Sequence, residues 1–80
     1  MHEMKLIESM VSILNKEVDD VSIHEVKEVH LEVGELRYIV PEIMENCFKH
    51  VPKSIKLKNA KLKVMVVPGG KEFTIKGIEY

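Results

Sequence analysis

Cysteine is nearly missing from this chain: Cys47 is the one thiol in 80 residues. A single thiol closes no disulfide within the chain, and it excludes a thiolate zinc centre, which needs at least two. An excess of one charge is also lacking. Twelve basic residues stand against 13 acidic ones, for a net charge of −1. Phosphate backbones are gripped by a basic excess or a basic stripe, so nucleic acid is not the expected partner. No apolar run approaches the ~18 residues of a membrane span. Charges from Glu3 onward interrupt the first segment, where a secretory leader would keep an apolar stretch. A Ser/His/Asp series, a phosphate-binding glycine loop and G-x-G-x-x-G are all absent, which points away from an enzyme. The expectation is a cytoplasmic protein with no membrane partner, forming one domain over residues 1–80.

What is present has the balance of a folded domain, 45% apolar and 31% charged. At this length folding buries only about 60–65% of the unfolded chain's surface, so stability is expected to be marginal. Ile7, Met10, Val11, Leu14 and Val18 recur at steps of three and four, which predicts an amphipathic helix with Met4, Leu6 and Ile13 widening its apolar stripe. Asp19, Asp20 and Ser22 supply turn chemistry. The period then changes from 3.6 to 2. Val29, Leu31 and Val33 face one way and Glu28, His30 and Glu32 the other, the pattern of a strand wet on one side, ended by Gly34. Pro41 suits the first position of a second helix, with Met44, Cys47, Phe48 and Val51 on its apolar face, Ile43 beside them and Pro52 as its stop. Leu62, Val64 and Val66 mark a second strand, and Phe73 and Ile75 a third. Pro68-Gly69-Gly70 reads as a tight hairpin turn between them. Ile78 has the wrong parity for the inner face, which a bulge at Gly77 would correct. The predicted fold is α+β in the order α-β-α-β-β: a two-layer sandwich whose three-stranded, mainly antiparallel sheet carries both helices on one face.

Of the four histidines, His24 falls in a turn and His50 at a helix end. His30 lies between Glu28 and Glu32 on a strand face, a weak metal pattern whose side chains are expected to splay. Cys47 reads as a small, inert core residue. His2 differs because of what surrounds it. The α-amine of Met1, the amide nitrogen of His2 and its imidazole can close fused chelate rings on one metal ion, with the Glu3 amide as a candidate fourth donor. The amine's ordinary pKa of about 7.7–8 lets a metal displace its proton near neutrality. A planar nitrogen field selects Ni(II) or Cu(II) over Zn(II). The alternative is a frayed, exposed terminus.

Met1-His2-Glu3-Met4 followed by an amphipathic helix resembles the start of the HypA/HybF nickel metallochaperones of hydrogenase maturation. Val29-His30-Leu31-Glu32-Val33-Gly34-Glu35-Leu36, Val40-Pro41-Glu42, residues 60–68 and residues 71–79 resemble further blocks of that family in register. The resemblance implies Ni(II) as cargo held at Met1, His2 and Glu3, with His2 as side-chain donor and the amine and amides as backbone donors. It also implies two partners: a maturation GTPase of the HypB type and the hydrogenase large-subunit precursor. Family members insert a zinc module of paired C-x-x-C motifs between the last two strands. Here residues 68–71 hold only Pro-Gly-Gly-Lys, so no zinc is expected. A deletion spliced with glycines and a natural zinc-free relative both fit, and the matching flanks favour deletion. So short a connection would also encourage exchange of the last strand between two chains, giving a homodimer. The competing reading is a metal-independent interaction module acting through helix 1 and a sheet edge.

Overall fold

The computed structural model describes residues 3–19 and 25–80. Helix α1 spans Glu3–Asp19 and buries Ile7, Met10, Val11, Leu14 and Val18, the stripe its sequence period predicts. The stripe is narrower than expected. Ile13 is 54% exposed, because at 3.6 residues per turn it lies roughly 120° round the helix from the stripe's centre. Met4, in the first turn, is also exposed, and Leu6 is half-buried.

Strand β1 (Glu28–Gly34) alternates as its period predicts, with Val29, Leu31 and Val33 fully inside. Helix α2 (Pro41–His50) begins at its proline and buries Met44 and Phe48. Ile43 is exposed and Cys47 only half-buried, so the thiol belongs to the rim of the core rather than its interior. The helix stops where Pro52 holds Val51 extended, at φ −75° and ψ 135°. Lys53 then turns back, its Nζ donating to the carbonyls of Phe48 at 2.6 Å and Val51 at 3.0 Å. It thereby satisfies acceptors that a helix end leaves open. The same ammonium sits 4.9 Å over the Phe48 ring, and partial burial lowers its pKa.

Strands β2 (Lys61–Val67) and β3 (Phe73–Glu79) complete one sheet in the order β2-β1-β3. β1 runs parallel to β2 and antiparallel to β3. The sheet is therefore mixed rather than mainly antiparallel, and Pro68-Gly69-Gly70 does not close a hairpin. The reason lies upstream. With α2 between them, β1 and β2 form a strand–helix–strand crossover, which makes them parallel neighbours. Placing β3 on the other side of β1 then pairs both edges of the most buried strand. The connection at 68–72 must step over the end of β1, about 10 Å at the usual strand spacing. Pro68 followed by Gly69 at φ 75° suits the turn that starts this step.

The crossing segment is tied to the end of β1 and to the short 3-10 turn Glu35–Arg37 that follows it. Gly34 N–H donates to Glu72 O at 2.7 Å, Leu36 N–H to Gly70 O at 2.8 Å, and Gly69 N–H to Glu35 Oε1 at 3.0 Å. Arg37 Nε donates to Lys71 O at 2.7 Å while its guanidinium lies 5.7 Å from the Phe73 ring centre.

The β1–β3 register shifts between His30, which pairs with Gly77, and Leu31, which pairs with Ile75. Lys76 is the extra residue of a bulge, and Ile78 is thereby returned to the inner face against the core, as its parity requires. Both helices share one core cluster with the inner face of the sheet, so the two-layer α+β architecture holds. Burial falls along β2 from Leu62 through half-buried Val64 to exposed Val66, so the helical cover thins toward that end. Val26 and Leu57 are also fully buried, although neither belongs to a periodic run; Leu57 sits in a second 3-10 turn, Ile55–Leu57.

Candidate metal centre

Met1 and His2 lie outside the described residues, as do Asp20, Ser22 and His24. Glu3, the third residue of the N-terminal motif, opens α1 and is only 7% exposed, unusual for a carboxylate. Its carboxyl is held below the ordinary carboxylate range by hydrogen bonding to the chain's α-amino group first, then by backbone N–H groups of Glu3 and Val40. The Val40 contribution ties the start of α1 to the residue that precedes α2. Glu3 thus sits beside the junction of the two helices.

The open face of the sheet holds a second convergence. His30 Nε2 is 3.3 Å from Glu28 Oε1 and 3.3 Å from Glu79 Oε2. The side chains therefore converge, and the third partner is Glu79 on β3 rather than Glu32. Glu32 instead faces Lys76, with Nζ 3.9 Å away. Hydrogen bonding to His30, then to Glu28, lowers the Glu79 pKa. Glu79 escapes a reading of β1 alone. The signal that reveals it is the parity of Ile78, because the bulge that sends Ile78 inward sends Glu79 outward beside His30. His50 ends α2 in an exposed position.

A family model described as "Hydrogenase/urease nickel incorporation, metallochaperone, hypA" matches residues 1–72. The hydrogenase maturation factor HypA of Rhodopseudomonas palustris (strain TIE-1) is 38% identical over 69 residues, covering 86% of this chain and 61% of that protein. The hydrogenase maturation factor HypA of Geobacter metallireducens is 36% identical over 84 residues, covering 96% of this chain and 74% of that protein. The hydrogenase maturation factor HypA 2 of Bradyrhizobium diazoefficiens is 35% identical over 69 residues. No solved structure matches. The chain thus spans 61% of the length of the R. palustris relative. The family match begins at Met1 and includes β1, α2 and β2, the elements that carry the helix-covered sheet. The chain belongs to the HypA family of nickel-incorporation metallochaperones.

Proposed function

We propose that this chain is the nickel-carrying domain of a metallochaperone that delivers Ni(II) during maturation of nickel–iron hydrogenase. The observation that carries the reading is the family match over residues 1–72, which takes in Met1, His2 and Glu3. Met1 supplies the amine, His2 an amide and the imidazole, and Glu3 a further amide. A metal held by backbone nitrogen is released when those nitrogens regain protons, which suits cargo that must be handed on. The protein's work is carriage rather than turnover of a substrate. Its partners are a GTPase of the HypB type and the hydrogenase large-subunit precursor. Residues 68–71, in this reading, are the splice left by deletion of a zinc module. Exchange of β3 between two chains would preserve the β1–β3 pairing in a homodimer.

His2→Ala tests the nickel reading. Ni(II) added to the unaltered chain should give the visible absorption of a planar nitrogen complex, and His2→Ala should remove it. An identical band in both proteins would overturn the reading. A second reading, a metal-independent interaction module, draws support from Met4 and Ile13, exposed on α1. It predicts partner capture that a chelator leaves unchanged, whereas nickel carriage predicts transfer that a chelator blocks.

A further inference from the structure

We propose that the open face of the sheet carries a second metal site, apart from the N-terminus, in which Glu28, His30 and Glu79 hold a divalent transition-metal ion. Each of the three offers one ligand atom, and these atoms all lie within 4.8 Å of one another. Two of the spacings, from His30 Nε2 to each carboxylate, are 3.3 Å. With metal–ligand bonds of about 2.0–2.1 Å, neighbouring corners of a tetrahedron fall about 3.3–3.4 Å apart. The imidazole therefore already stands at coordination distance from both carboxylates, and all three ligand atoms lie close enough to converge on one ion.

The backbone holds this arrangement in place. Glu28 and Glu79 are direct cross-strand partners in the β1–β3 register. Like charges directly opposite each other destabilise a sheet; Lys61 and Lys63, the β2 register partners of Glu28 and His30, flank the pair from the other strand, while Glu79 on the outer strand has no such partner in the register. The nearby ammonium of Lys76 is directed to Glu32 rather than to this pair. Gly77, opposite His30, leaves open space where any other residue would place a side chain beside the imidazole. A dication bound by the imidazole and both carboxylates removes the repulsion.

The donor set selects the ion. One imidazole and two carboxylates favour zinc, nickel, cobalt or copper over magnesium and calcium, which prefer all-oxygen shells. Three protein ligands on an exposed face leave a coordination position open to solvent or to an incoming donor. That suits an ion picked up and released rather than one locked into the fold. The proposal does not depend on the N-terminal chelate, because none of its ligands lies within the first 27 residues.

Zinc titration followed by histidine ring NMR tests it. One equivalent of Zn(II) should shift the His30 ring signals and the Gly77 amide, and Glu79→Gln should weaken that response at least tenfold. Glu79 is exposed, so the substitution leaves the core untouched. Glu32→Gln serves as the comparison, since Glu32 sits on the same face but pairs with Lys76; it should bind zinc like the parent. The proposal fails if the His30 signals do not move. It also fails if Glu79→Gln and Glu32→Gln change the response equally.

Discussion

Replacing Gly34 by alanine should destabilise the protein by about 3 kcal/mol, the largest loss expected from adding a single methyl group. A Cβ at position 34 would run into the carbonyl of Gly70 and the amide nitrogen of Lys71. Those atoms are backbone, which cannot swing aside as the end of a side chain can. Overpacking typically costs about 1–3 kcal/mol. Here the displaced segment also carries the bonds from Gly34 N–H to Glu72 O and from Leu36 N–H to Gly70 O, each worth about 1 kcal/mol. In a domain of this size about 3 kcal/mol lowers Tm by roughly 12–24 °C. Thermal unfolding followed by circular dichroism measures it. Gly77→Ala is the control, because an added Cβ there meets nothing within 4 Å; a change below about 1 kcal/mol is expected. Equal losses at the two positions would show that β3 does not reach β1 by crossing over Gly34.

That crossing marks the limit of what could be read along the chain. Helix α1, β1 and α2 were legible because their apolar residues recur at a period that one face must satisfy, and Pro41 and Pro52 punctuate the second helix. The bulge was legible too, since Ile78 could not otherwise reach the core. The partner of β3 was not. Pro68-Gly69-Gly70 has the residues of a hairpin turn, and local chemistry says nothing of a third strand lying between the two it joins. The deciding fact was non-local: α2 between β1 and β2 makes those strands parallel neighbours and leaves the other edge of β1 for β3. Val26 and Leu57 escaped for a related reason, being buried by irregular segments that have no period to read. At the candidate sites, Glu28 and His30 were visible as near neighbours on one strand. Glu79 came into view only with the cross-strand register. The proposed N-terminal set is a different case: Met1 and His2 lie outside the described residues, and its donors are mostly backbone atoms whose availability depends on position in the chain rather than on residue type.

This dependence on position leads to the second large effect. Moving His2 away from the terminus should abolish planar nickel binding while leaving every side chain and the whole core intact. The extension must be long enough. One added residue would place the imidazole third in the chain, where an amine, two amides and a ring still close a planar set. Three residues, Gly-Ser-Gly, break the fused rings. Loss of an outer-sphere partner alone costs a metal site about 10–100-fold in affinity, so loss of the amine donor should cost at least about 100-fold. The extension replaces the α-amino group that bonds the Glu3 carboxyl but leaves the apolar core sequence unchanged, so the fold should be retained, and zinc binding at Glu28, His30 and Glu79 should persist.

The most direct measurement is therefore a visible-absorption titration with Ni(II) of two proteins, one beginning at Met1 and one carrying Gly-Ser-Gly ahead of it. N-terminal chelation predicts a planar nickel band that saturates at one equivalent in the first protein and is missing from the second. The same band, at the same affinity, in the extended protein would contradict it.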